Sequence, residues 1–432
     1  MGQGFDSSSR HHFRLYIGKK INKELCAWSL LDWANSSWPT VIITFIFSTY
    51  FVKNIAPDEI IGTSLWGYVL SISGLILAIS APLLGIYSDI LKKRKIFLII
   101  STILTSFFAF FLWFLEPGEN ILIIFLIVIG LGNICFEVST VFYNALLKKV
   151  SNKNNIGKIS GIAWSLGYIG GILSLLICLI LFVNPEKPIF GLDKEKYEHI
   201  RIIGPFIGLW FLIFSIPSFI FIKEKKIKTK RINLITNIKK TFLSIEKTTL
   251  KFLISRMLYT DGLNTLFAFG GIYAATLYNM EFSEIILFGI ALNISAGVGS
   301  IIFAFFDDKF GPRIIIKVCL ISLICICSSI LITDNKIFFW ILGIGIGLFI
   351  GGLQSTSRSC MARLSKINDQ SKMFGIYGLS GKITAFLGPY FVALLTTTFN
   401  NQKAGFISII IFFILGYLII KDLKLPNYST YK

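Results

Sequence analysis

The chain has 432 residues, 54% of them hydrophobic and only 15% charged, with 41 Phe and a mean hydropathy of +0.73. So apolar a chain has too few polar side chains to cover a water-soluble globule, which makes lipid its solvent. The formal net charge of +19 then reads as a topology signal beside anionic headgroups, and no nucleic-acid partner is needed to account for it.

Apolar runs of about 20 residues cross a roughly 30 Å hydrocarbon layer as helices, because lipid offers backbone amides no other partner. Six are expected in the first half, near residues 25–52, 64–87, 96–115, 121–147, 160–183 and 202–222. Six more follow near 252–278, 284–306, 314–333, 337–357, 373–398 and 405–420. The implied organisation is an N-terminal tail (1–24), a six-helix bundle (25–222), a basic linker (223–251), a second bundle (252–420) and a tail (421–432).

The polar start of the chain has no cleavable-signal pattern, and His11 and His12 lack further metal ligands nearby. The first span carries Asp32, Asn35 and Ser36 on one helix face, with Pro39 expected to kink it. After the second span comes a turn with Gly85, Asp89, Lys93 and Arg94. In the fourth, Asn133, Glu137 and Asn144 share a face with Thr140 between them. The basic linker reads as a solvated topology determinant lying against headgroups. Beyond it, the seventh span holds Asp261, Asn264 and Thr265, and the turn after the eighth holds Asp308, Lys309, Gly311 and Arg313. The tenth contains Gln354 and ends near Arg358, and Lys382 follows Ser380 and Gly381 inside the eleventh. None of the seven Cys has metal-binding pair spacing, so neither disulfide, metal nor cofactor is expected.

Short cytoplasmic loops carry the excess of Lys and Arg. One set of connections holds Lys92 to Lys95, then Lys148, Lys149, Lys153 and Lys158, then Arg358, Arg363, Lys366 and Lys372. The opposite loops carry Asp58, Glu59, Glu116, Glu119, Glu281 and Glu284. Both termini are therefore expected in the cytoplasm, the chain sitting as a monomer in a bacterial inner membrane.

The halves repeat one another. Asp32-x-x-Asn35-Ser36 echoes Asp261-x-x-Asn264-Thr265, the two acid–base turns match, and Ser160 to Gly167 can be laid on Phe374 to Gly381. Three echoes in the same order point to a six-plus-six duplication.

The two turns resemble the signature loop of the major facilitator superfamily, with Lys92 where the first copy should have its second Gly and Ala304 where the second should have its leading Gly. Within that superfamily, LDWANSSW (31–38), FYNALL (142–147), LYTDGLNT (258–265), GGLQSTSRS (351–359) and SGKITAFLGP (380–389) resemble the autophagy-related vacuolar effluxer and its bacterial relatives. Lys148 stands where those relatives usually have Pro. The resemblance implies an all-α fold of twelve transmembrane helices in two pseudo-symmetric bundles, and the export of an amino acid or other small metabolite, as in the fungal members.

A substrate and coupling cavity is accordingly expected from Asp32, Asn35, Ser36, Asn133, Glu137, Tyr143, Asn144, Asp261, Asn264, Thr265, Gln354 and Lys382. A cytoplasmic gate is expected from Gly85, Asp89, Lys93, Arg94, Asp308, Lys309, Gly311, Arg313 and Arg358. Glu137 either carries a coupling proton or is salt-bridged to Lys382 or Arg358. Lys382 either anchors a substrate carboxylate or snorkels to the surface. The expected partners are a small solute, the bilayer and, on the first reading of Glu137, protons. Gly343-x-Gly345-x-Gly347 lies inside an apolar span, and there is no Walker loop, so an enzyme is not expected. The rival readings are a channel, which lacks a pore-type repeat here, and a non-transporting receptor or scaffold on the same fold.

Overall fold

The computed structural model describes residues 23–118, 121–186, 189–224 and 245–423. Nearly all of the N-terminal tail, most of the basic linker and most of the C-terminal tail lie outside them. The first bundle contains α1 (Lys23–Asn35, continuing through Trp38–Phe45, Ile46–Tyr50 and Phe51–Ile55), α2 (Glu59–Leu91) and α3 (Arg94–Phe111). It is completed by α4 (Ile121–Ala145), α5 (Ile156–Cys178) and α6 (Ile203–Phe221). The second bundle has α7 (Lys247–Tyr278), α8 (Phe282–Phe310), α9 (Pro312–Ile332) and α10 (Lys336–Leu364). It ends with α11, split into Gln370–Ser380 and Leu387–Phe399, and α12 (Gln402–Ile420).

Among the described residues, nine helices are long and apolar enough to cross a membrane. The other three passes, α1, α7 and α11, depart for local reasons. Pro39 has no N–H to give the carbonyl of Asn35, and the chain winds as a π-helix over Trp38–Phe45 before returning to α-form. In α7, Arg256, Asp261 and Asn264 interrupt the apolar run. In α11 the chain turns over 381–386, where Gly381 is a poor helix former and Pro389 cannot bond back to Ala385. Pro389 then sits in the first turn of Leu387–Phe399, where its missing N–H leaves nothing unsatisfied.

The packing repeats as the sequence does. In the first bundle α1 lies on α5 and α6, α2 on α4, and α3 on α4 and α6. In the second, α7 lies on α11 and α12, α8 on α10, and α9 on α10 and α12. The bundles meet along two equivalent seams, α2 against α11 and α8 against α5. Small residues bring the backbones close there. A Cβ on Gly161 would stand 2.2 Å from the Ser300 carbonyl oxygen, and one on Gly375 would stand 2.5 Å from that of Ala81. Gly167 and Gly170 instead pack inside the first bundle, against Asp32 and Trp33.

After α2 the turn needs left-handed backbone, and Lys92 supplies it at φ 54, a conformation that glycine takes without steric cost. The equivalent turn after α8 uses Gly311 at φ 86.

Leucine at 161 or 375 is expected to overpack a seam and destabilise the protein by about 1–3 kcal/mol. Leucine at Gly270, where a Cβ would have no heavy atom within 4 Å, is the control. Thermal unfolding in detergent should separate the first two from the third; equal midpoints would mean the seams have slack.

Candidate functional site

Between the bundles lies a cavity of about 290 Å³, built from α2, α4, α5, α7, α10 and α11. Its charged lining residues are Glu137, Arg256, Arg358 and Lys382, joined by the polar groups of Asn144, Asn264, Gln354 and Tyr259. A second cavity of about 220 Å³ lies further from the basic turns, between α1 and α5 on one side and α7 and α8 on the other. The two share Trp164 and Gln354.

Arg358 is 2% exposed, which is tenable at this depth only with a full set of acceptors. Its Nη1 lies 2.7 Å from Oδ2 of Asp32, across the bundle interface. Nε donates to the Ser160 hydroxyl at 2.9 Å, Nη2 to the Ser160 carbonyl at 2.5 Å, and Nη1 also to the Tyr143 hydroxyl at 3.3 Å. The rings of Trp28, Tyr143 and Trp164 stand 5.3 to 5.5 Å from the guanidinium carbon, adding cation–π contact. Trp28 is held in turn by stacking on Tyr143 and by donating to the Tyr143 carbonyl at 2.9 Å. One side chain of α10 thereby ties together α1, α4 and α5.

A second cross-bundle pair joins Glu137 of α4 to Lys382 of α11, Oε1 to Nζ at 2.8 Å. The helix break puts Lys382 here, since its turn lets the side chain leave α11 toward the cavity instead of the surface.

Towards the basic turns the bundles are joined by two equivalent contacts. Asp89, at the end of α2, accepts from the backbone N–H groups of Ser371 and Lys372 at the start of α11, at 3.3 and 2.9 Å. Asp308, at the end of α8, accepts from Gly157 and Lys158 at the start of α5, both at 2.8 Å. Each carboxylate caps the positive end of a helix in the opposite bundle. Arg94 braces the first at 2.7 Å and donates to the Ile367 carbonyl at 2.8 Å. Arg363 braces the second at 2.6 Å and also reaches Asp307 at 3.2 Å. Lys148 adds a bond to the Ser365 carbonyl at 2.6 Å.

Several expected residues are not brought to these places. Asn133 faces α2, its amide 3.4 Å from the Ser73 hydroxyl. Asp261 and Thr265 are buried within the second bundle, where the Thr265 hydroxyl donates to the Asp261 carbonyl at 2.6 Å, while Asn264 alone of that motif lines the cavity. Asn35 is buried and lines neither cavity, and Ser36 lines the second cavity. In the turn after α8, Lys309 lies over the Phe310 ring and Arg313 donates to the Lys421 carbonyl, so Arg363 replaces both as the cation of that contact. Arg358, assigned to the gate by its position near the end of a span, belongs instead to the cavity wall. Arg256, Arg363, Asp307 and Ser160 enter the site without having been assigned to it; an Arg inside a predicted span was a signal for the first of these.

A family model described as "Vacuole effluxer Atg22 like" matches residues 147–426, and one described as "Major Facilitator Superfamily" matches residues 17–175. The chain is 24% identical over 420 residues to the uncharacterized MFS-type transporter YxiO of Bacillus subtilis, covering 93% of this chain and 95% of that one. It is 22% identical over 301 residues to autophagy-related protein 22-1 of Aspergillus fumigatus, covering 62% of this chain and 48% of that longer protein. In fold it is similar to the proton:xylose symporter XylE bound to 6-bromo-6-deoxy-D-glucose, with a TM-score of 0.74 at 12% identity over 93% and 95% of the two chains.

Removing one partner of a buried ion pair leaves the other uncompensated, at about 3–5 kcal/mol. Arg358→Gln and Asp32→Asn are each expected to destabilise strongly, and the double variant by less than their sum. Denaturant unfolding of the four proteins checks this; strict additivity would mean that the two groups do not interact.

Proposed function

The chain belongs to the Atg22-like vacuole effluxer family of the major facilitator superfamily, and on that premise we propose that it is a secondary transporter moving a small solute by alternating access. The observation that carries this reading is the pair of cross-bundle ion pairs at the central cavity, Asp32–Arg358 and Glu137–Lys382. Both join one bundle to the other, so any rocking of the bundles that opens the basic side must stretch or break them. A solute seated among them changes their energies, which is how binding is coupled to movement.

The excess of Lys and Arg in the turns closed by Asp89 and Asp308 supports a cytoplasmic position for that side and for both termini. The bacterial relative supports placement in a cytoplasmic membrane. With this orientation the closed latches describe an outward-facing or occluded state. A cavity of about 290 Å³ is at the small end of ligand sites, which fits a solute of amino-acid or simple-metabolite size.

Glu137 supplies a route for proton coupling. While Lys382 stands 2.8 Å away the carboxylate is neutralised by that ion pair. Separation of α4 from α11 would take that cation away, and the proposed coupling step is the exchange of Lys382 for a proton at the Glu137 carboxylate. Protonation then alternates with pairing as the bundles rock.

In proteoliposomes with an imposed pH gradient, screened with amino acids first, the wild-type protein should exchange a solute and respond to the gradient. Glu137→Gln should abolish the response to the gradient while sparing counterflow, which needs no net proton movement. Wild-type pH dependence in that variant would remove Glu137 from coupling, and no flux of any solute would favour the scaffold reading.

A further inference from the structure

The charges around the cavity do not balance. Asp32 is matched to Arg358, and Glu137 to Lys382. Arg256, which also lines the cavity, meets no carboxylate among the described residues. The one acid of its helix, Asp261, lies five residues on and on another side of α7, buried against α11 where a Cβ on Gly388 would stand 3.1 Å from its carbonyl oxygen.

Instead Arg256 is fixed as a platform. Its guanidinium carbon stands 3.4 Å from the centre of the Tyr377 ring. Both its hydrogen bonds to described residues leave from Nη1, to the Tyr377 carbonyl at 2.5 Å and the Ser380 hydroxyl at 2.7 Å. Gly381 lets the group sit flat, since a Cβ there would lie 3.0 Å from Nη1 and 3.2 Å from Nη2. Stacking and the two bonds set the plane of the fork, while Nη2 and Nε keep their donors for something else. Lys382, next in sequence to Gly381, presents its ammonium to the same cavity and is 36% exposed there.

We infer that the transported solute is a small organic anion whose carboxylate docks on Arg256, with Lys382 as a second, exchangeable cation. A guanidinium with one edge occupied and the other open matches a planar carboxylate in two parallel hydrogen bonds. One net negative charge neutralises the one excess positive charge of the cavity. A zwitterion would bring its own ammonium and leave that excess in place, and a neutral solute would leave Arg256 unmatched away from water. Asn144, Asn264 and Gln354 remain to read hydroxyl or carbonyl groups on the rest of the anion.

The inference rests on the transport reading, and the test separates the two. Solutes that share a carbon frame and differ in charge are compared on the purified full-length protein: lactate, lactamide and alanine, then 2-hydroxyisocaproate, its amide and leucine, with inorganic phosphate as a non-carboxylate anion. Binding is read as thermal stabilisation in detergent, and movement as counterflow in proteoliposomes. The 2-hydroxy acids should stabilise and exchange, with the zwitterions weaker for their added ammonium and the amides about ten- to hundred-fold weaker, the loss expected for a missing charged hydrogen bond. Arg256→Gln should erase the preference for the anion, and Arg256→Lys should keep the charge but lose the paired hydrogen bonds. Gly381→Ala, which displaces the guanidinium without removing it, gives the same direction in a milder form should Arg256→Gln fail to fold. Amino acids or amides preferred over the hydroxy acids, phosphate preferred over all, or no stabilisation by either hydroxy acid would each overturn the inference. Anion binding without exchange would instead uphold the site and sink the transport reading.

Discussion

A charge held within a hydrocarbon layer must be neutralised by a neighbour, at a penalty of roughly 2.5 to 3.5 kcal/mol on insertion scales if it is not. In this protein the neighbour is repeatedly in the other bundle. Asp32 finds Arg358, Glu137 finds Lys382, and the carboxylates of Asp89 and Asp308 find helix ends across the interface. The two halves are therefore held together by contacts that are strong when made and costly when one partner is left behind. Such an interface has few intermediate positions, which suits the proposed rocking between states open on one side and on the other.

Duplication gives the interface its shape, and a single guanidinium breaks its symmetry. Helix pairings, seams and carboxylate caps all occur twice. By the same symmetry Asp261 should meet a base from α4 as Asp32 meets one from α10. No Lys or Arg lies in Ile121–Ala145, so Asp261 turns into its own bundle and Asp32 alone reaches across. The positive residue left at the cavity, Arg256, has no counterpart in α1 at all, where the polar face holds Asp32, Asn35 and Ser36. Asymmetry of charge on a symmetric frame is what turns a repeated fold into a site with a preferred ligand.

Much of the frame was legible in the sequence because lipid imposes a simple rule: apolar runs of sufficient length become helices, and repeats in their order become repeats in space. The acid and base of the first turn, Asp89 and Arg94, could be paired by proximity along the chain, and the structure joins them. Proximity misled in the second turn, where Arg363, some 55 positions away, displaces Lys309 and Arg313. Arg358 was misplaced for a similar reason. Its distance from the end of an apolar run suggested a surface position, whereas α10 continues to Leu364 and carries it inward. Arg256 escaped notice because the basic linker ends only five residues earlier, at Lys251, and the two merge into one run of positive charge. In each case the partner is chosen by which helices touch, which spacing along one chain does not encode.

The central claim is that the carboxylate caps close the basic side, and distances between spin labels test it most directly. Labels at Asn154→Cys and Lys366→Cys, two exposed positions at that side in opposite bundles, would be introduced with the exposed Cys26 and Cys325 replaced by Ser. Each cap contributes up to about 2 kcal/mol in a partly buried setting, enough in pairs to change which state predominates. The wild-type background should give one short distance, and Asp89→Asn combined with Asp308→Asn should shift much of the population to a longer one. A distance distribution unmoved by removing both carboxylates would contradict the account.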